Sequence, residues 1–198
     1  MISRAFAAAV AAALPLFSLY VGATAADAEA GHRKAGICAA CHGPGGSSTN
    51  PAVPSLAGQP AQFLAMELYQ FREGDRKDPQ MSPMAANLTN ADMNDLAAYF
   101  SAQKSSPPLH KTAPESAASG PQLAERFNCV QCHTRTLTGQ QHIPRIAGQQ
   151  FDYLRAQLRA FKAGKRADID GNMTSAAQAL SDKDVEVLAD YISGLSAP

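Results

Sequence analysis

No surplus of either charge marks this sequence: 17 lysines and arginines face 17 aspartates and glutamates in 198 residues. That balance excludes the electrostatic footprint of a nucleic-acid binder or of a protein drawn to an anionic membrane, and no nucleic-acid partner is expected. Alternating apolar and polar runs are missing, as is any Asn-Gly hairpin signal, so the chain reads as all-α. Cysteine is scarce. The four that exist, at positions 38, 41, 129 and 132, fall in two short motifs and leave none for a disulfide. Methionine is equally thin late in the chain, where Met173 is the only one after Met93.

What the chain does contain is one pentapeptide written twice, Cys38-Ala39-Ala40-Cys41-His42 and Cys129-Val130-Gln131-Cys132-His133. Two cysteines three positions apart lie on one side of a helical turn. Both sulfurs can then reach one edge of a flat macrocycle while the next residue swings its imidazole under the metal. C-x-x-C-H is the attachment signature of c-type haem. A lone C-x-x-C also fits a thioredoxin-like dithiol or half a zinc site. The following histidine and the repetition favour two covalently attached haem c groups, with Cys38, Cys41, Cys129 and Cys132 as the thioether residues and His42 and His133 as axial ligands.

Residues 1 to 26 read as a signal peptide. Arg4 precedes an apolar run from Ala5 to Val21, and Ala23-Thr24-Ala25 supplies the small-x-small pattern of a cleavage site, placing cleavage near Ala25 or Ala26. An uncleaved membrane anchor is disfavoured because the run is shorter than the roughly 20 residues of a span and Pro15 interrupts it. The expected location is the periplasm.

The remainder is a duplication. His42 matches His133 at an offset of 91. Pro54, Leu56, Gly58 and Gln59 match Pro144, Ile146, Gly148 and Gln149 at 90, and Leu64, Leu68, Phe71, Gly74 and Arg76 match Leu154, Leu158, Phe161, Gly164 and Arg166 at the same offset. After two extra residues in the second copy, Met81, Leu88, Leu96 and Tyr99 match Met173, Leu180, Leu188 and Tyr191 at 92. Domains are expected over 27–104 and 121–198, joined by a linker over 105–120, where Ser, Pro and Ala dominate and apolar periodicity is lacking. In each copy the i, i+4, i+7 spacing of Leu64, Leu68 and Phe71, or of Leu154, Leu158 and Phe161, predicts a central helix ending at Gly74 or Gly164. Thr89 to Asp92 and Ser181 to Asp184 are capping-box starts for a final helix.

The second axial position of each iron separates electron carriers from oxygen or peroxide chemistry. Met81 and Met173, aligned between the central and final helices, are the expected sixth ligands. Met84 competes in the first copy, but its aligned position is Ala176. Pro54 and Pro144 are candidate carbonyl acceptors for the imidazoles of His42 and His133. Arg76 and Arg166 form a cationic pair expected either to meet haem propionates or to lie on a solvated face. His32, His110 and His142 lack counterparts and are expected at the surface or in the linker.

These residues resemble class I c-type cytochromes in tandem, and in particular the dihaem cytochrome c4 family. The resemblance rests on both C-x-x-C-H sites, the Pro-x-Leu/Ile-x-Gly loops, Met81 in Gln-Met-Ser-Pro-Met-Ala-Ala and Met173 in Asn-Met-Thr-Ser-Ala-Ala. It implies two small helical bundles, each around one His/Met haem, with propionates facing each other across the domain boundary. It also implies an electron carrier rather than an enzyme, working between an upstream quinol-oxidising complex or dehydrogenase and a downstream terminal oxidase, with peripheral association at the inner membrane. One departure is Cys-His-Thr-Arg after the second motif, where the first has Cys-His-Gly-Pro. Two other roles are open: the cytochrome subunit of a flavin-containing sulfide dehydrogenase, and a dihaem peroxidase, against which the two aligned methionines argue.

Overall fold

The computed structural model describes residues 25–196, and the expected signal peptide, apart from Ala25 and Ala26, lies outside the described residues. Ten α-helices fall among the described residues with no strand, and one isolated bridge joins Gln140 to Ile143. The first half runs through α1 (Ala28–Lys34), α2 (Gly36–His42), α3 (Ala61–Glu73), α4 (Met81–Ala85) and α5 (Asn90–Ser101). The second half repeats the series as α6 (Pro114–Arg126), α7 (Cys129–His133), α8 (Phe151–Lys162), α9 (Asn172–Gln178) and α10 (Asp182–Ser193).

Both final helices start as their sequences predict. Thr89 Oγ1 accepts the Asp92 N–H while the Asp92 carboxylate accepts the Thr89 N–H, and Ser181 and Asp184 do the same for α10. α3 stops at Gly74, whose φ of 84° is a left-handed turn that a residue with a Cβ adopts only under strain. Leu96, Ala97 and Phe100 of α5 then pack with Leu64 of α3, and Val185, Leu188 and Ile192 of α10 pack with Leu154 of α8. Leu188, 1% exposed, contributes about 1.5–3 kcal/mol by that burial alone.

The first helix of each half crosses the last at a glycine. A Cβ on Gly31 of α1 would lie 2.0 Å from the Asp95 carbonyl oxygen of α5, and one on Gly120 of α6 would lie 2.2 Å from Cγ of Tyr191 on α10. Any larger residue there would push the crossing apart. Residues 114–120, at the C-terminal end of the expected linker, are already helix. Pro114 takes the first helical position, where its missing N–H costs nothing. The inward face of α6 is Ser116, Gly120 and Ala124, small residues four apart, so the burial leaves no apolar stripe to read. His110, expected at the surface or in the linker, is half-buried and ties the linker to α10. Its Nε2 lies 2.5 Å from Asp190 Oδ1 and its ring stacks on Phe151 at 4.7 Å.

Where the halves meet, two glutamines cross over. Gln59 donates to the Arg145 carbonyl at 2.8 Å and accepts the Arg145 N–H at 2.9 Å, while Gln149 donates to the Ser55 carbonyl at 2.9 Å and accepts the Ser55 N–H at 2.7 Å. Gln59 and Gln149 are aligned positions, and so are Ser55 and Arg145. The boundary thus follows a pseudo-two-fold axis, and its four backbone groups are satisfied while buried.

Candidate functional site

α2 and α7 end on the histidines of the two motifs. Cys38 and Cys129 are half-buried, Cys41 and Cys132 are exposed, and all four are unpaired. Burial raises the Cys38 thiol and pushes that of Cys129 up to about 11, so neither offers the thiolate that a redox-active dithiol needs near neutral pH. A zinc site finds no support either, since no group of three or more His, Cys, Asp or Glu side chains comes together among the described residues.

The imidazoles are held alike. His42 Nδ1 lies 2.8 Å from the Pro54 carbonyl and His133 Nδ1 lies 2.8 Å from the Pro144 carbonyl, with the two residues 6% and 4% exposed. A carbonyl can only accept, so Nδ1 carries the proton and Nε2 presents its lone pair. Burial lowers both histidines below their ordinary value, and the carbonyl contacts offset this in part. A neutral ring with a free Nε2 is the form that ligates a metal.

Met81 is the first residue of the short helix α4 and Met173 the second of α9, and both are half-buried. An aspartate anchors each: the Met81 N–H donates to Asp78 at 2.9 Å and the Met173 N–H to Asp168 at 2.8 Å. Asp168 also accepts the Thr174 N–H and hydroxyl. Burial would raise its carboxyl, but the Met173 N–H, a hydrogen bond with Asp170 and the Thr174 donors outweigh it and draw it down to about 2. Met84 points outward by comparison, 41% exposed.

Arg76 and Arg166 occupy neither of their expected settings alone. With side chains 12% and 11% exposed, they lie at the boundary between halves. Arg76 pairs with Glu67 of its own half and reaches Gln157 of the other at 3.1 Å, and Arg166 bonds Gln157 at 2.7 Å and crosses to Glu67 at 2.7 Å. Each guanidinium stacks on a phenylalanine, Phe71 or Phe161. Burial pulls Arg76 down, and the oxygens of Tyr153 and Glu67 more than reverse it. Two buried guanidinium atoms, Nε of Arg145 and Nε of Arg166, find no acceptor among the described residues. Orphaned donors of this kind fit a macrocycle that brings its own carboxylates, so the residues present suit haem c.

The cytochrome c family model matches residues 28–104 and again 117–196. The chain is a dihaem cytochrome of the cytochrome c4 family. It is 36% identical to cytochrome c4 of Pseudomonas aeruginosa over 181 residues, spanning 86% of this chain and 90% of that one. The crystal structure of reduced recombinant cytochrome c4 from Pseudomonas stutzeri superposes with a TM-score of 0.81 at 35% identity, covering 87% of this chain and all of that one. A thiosulfate dehydrogenase electron acceptor of Thiomonas intermedia is 37% identical over 174 residues, spanning 80% of this chain and 78% of that one. As a cytochrome c4 the chain carries two covalent haem c groups in tandem domains and is an electron carrier, not an enzyme.

The residues that knit this cytochrome c4 together at its boundary were only half visible beforehand. Gln59 and Gln149 aligned in the repeat but suggested no contact, and the partners Glu67, Gln157, Ser55 and Arg145 carried no signal, because pairing across the boundary has no sequence period.

Proposed function

We propose that Cys38 and Cys41 bind one haem c and Cys129 and Cys132 the other, with His42 and Met81 as axial ligands of the first iron and His133 and Met173 of the second. The protein then relays single electrons in the periplasm, from a quinol-oxidising complex or a dehydrogenase to a terminal oxidase, with peripheral association at the inner membrane. The observation that carries this is the duplicated arrangement of a buried neutral imidazole, clamped by a proline carbonyl, beside two unpaired cysteines. Haem supplies the one-electron couple, and the chain does the rest. The carbonyls of Pro54 and Pro144 fix each ring and its tautomer, Asp78 and Asp168 anchor the methionine segments, and the packed helices exclude water. No helix among the described residues is long and apolar enough to cross a membrane, which is compatible with peripheral association.

The likeness to a thiosulfate dehydrogenase electron acceptor favours a dehydrogenase as the upstream donor. The test is a haem count by the reduced pyridine complex on exported protein, followed by anaerobic mixing with a purified donor. Two haems per chain and millisecond reduction by a thiosulfate dehydrogenase support this reading. Reduction only by a quinol-oxidising complex moves the donor assignment, and one haem per chain refutes the site assignment.

A further inference from the structure

One corner of the repeat is filled in the first domain and open in the second. In the first, the residue after the crossing glycine of α1 is His32, and its ring stacks on Tyr99 of α5 with centroids 5.0 Å apart and planes inclined by 20°. Gln103 donates to the Tyr99 carbonyl at 2.9 Å, and its side chain lies over Gly45, where a Cβ would come within 3.4 Å of Oε1. An aromatic ring and an amide thus cover the corner. In the second domain Pro121 follows the crossing Gly120, Thr136 takes the place of Gly45, and Leu195 takes that of Gln103. Gln103 and Leu195 are equivalent in the backbone too, each donating its N–H at 3.2 Å to the carbonyl three residues back, of Phe100 or Ile192. Neither Pro121 nor Leu195 supplies a ring or an amide. A groove of about 470 Å³ opens there, bounded by α6, α7, the loop after His133 and the end of α10. Its apolar lining is Tyr191, aligned with Tyr99, together with Val130, Leu137 and Leu195, all part of the second domain's core or packed on it. Arg135 and Glu125 complete it, both exposed, and no ion pair among the described residues takes up either one.

We propose that this groove is a binding site for a zwitterionic aromatic molecule of the aromatic amino acid class, its ring on Tyr191, its carboxylate on Arg135 and its ammonium on Glu125. The first domain shows what suits the tyrosine, a planar ring laid against it, and offset stacking adds to the burial of the ring. The volume lies in the range of small-molecule sites. One cation and one anion beside an apolar lining complement a ligand that carries both signs of charge, the guanidinium offering paired N–H donors to a carboxylate. None of these residues is assigned to a haem, so the site is separate from the electron-carrying centres.

The experiment is isothermal titration calorimetry of the full-length holoprotein with L-phenylalanine as the probe. Saturable binding of one molecule per chain is expected, with a dissociation constant below about 1 mM. L-alanine keeps the zwitterion without the ring and should not saturate in the same range. Arg135→Gln and Glu125→Gln should each weaken L-phenylalanine about fivefold, as loss of one exposed charge contact implies. Pro121→His combined with Leu195→Gln restores the first domain's covering and should abolish binding, with the haem count of each variant as the control for folding. Should that double variant lose haem, the two charge variants, both at exposed positions, decide the matter. An absence of saturable binding, equal affinity for L-alanine, or an affinity left unchanged by Arg135→Gln or by Glu125→Gln overturns the proposal.

Discussion

Gln149→Ala removes the amide that the second domain extends into the first. Its Oε1 accepts the Ser55 N–H at 2.7 Å and its Nε2 donates to the Ser55 carbonyl at 2.9 Å, with Gln149 4% and Ser55 8% exposed. Truncation leaves the two buried backbone groups of Ser55 without partners and also frees the half-buried Gln150 N–H, which Oε1 accepts at 3.0 Å. Each of the Ser55 groups costs about 1–3 kcal/mol, or about 2–6 kcal/mol together. The space vacated is lined by polar groups, and a water entering it recovers part of the loss, so about 2–4 kcal/mol is expected. Gln59→Ala strips the matching groups of Arg145 and should cost a similar amount. The two glutamines share no acceptor, and the double variant should show nearly the sum. Denaturant unfolding of the holoprotein, followed by far-ultraviolet dichroism and haem absorbance, reads the effect, with exposed Gln178→Ala as a control expected to lie within about 0.5 kcal/mol of the parent. A loss below about 0.5 kcal/mol for Gln149→Ala would refute the claim that these bonds hold the domains together.

Gly31→Ala forces a methyl against the Asp95 carbonyl and should destabilise the first domain by about 1–3 kcal/mol, seen as a lower thermal midpoint with the second domain little changed. Met81→Ala should remove one of two thioether-to-iron absorption bands near the red edge of the visible spectrum, while Met84→Ala leaves both; the reverse result exchanges the ligand. Burial pushes the Asp190 carboxyl up, but hydrogen bonds from His110, Ser116 and Ala113 outweigh this and hold it below the usual carboxylate range. Its stabilising effect is therefore present above the ordinary value of about 4 and lost as pH falls beneath it, so Asp190→Asn should flatten the acid limb of a plot of melting temperature against pH below about 4.

Local signals carried most of the fold. Thr89 and Asp92, or Ser181 and Asp184, need only each other to cap a helix, and Gly74 ends α3 through its own backbone freedom, so both were legible. The start of α6 was not, because a helix that buries Ser116, Gly120 and Ala124 looks like a linker until the ring of Tyr191 is placed against it. Gly31 escaped notice for the same reason: its requirement comes from α5, more than 60 residues away. Arg76 and Arg166 were recognised as a pair, but the sequence offered only solvent or a propionate as their company. Glu67 joins them from the same helix series, and nothing in its local pattern separates it from a surface carboxylate.

The crossed glutamines make each half of the boundary complementary to its own repeat, since aligned residues reach for aligned backbone groups. This is the geometry of an isologous interface, the kind that closes a homodimer. The chain is in effect a dimer whose protomers have been joined end to end, and its linker converts association into a unimolecular event at a fixed effective concentration. Docking of the two domains is therefore independent of how dilute the protein becomes. Severing the linker between the halves would restore that dependence, leaving two pieces that pair only above their dissociation constant.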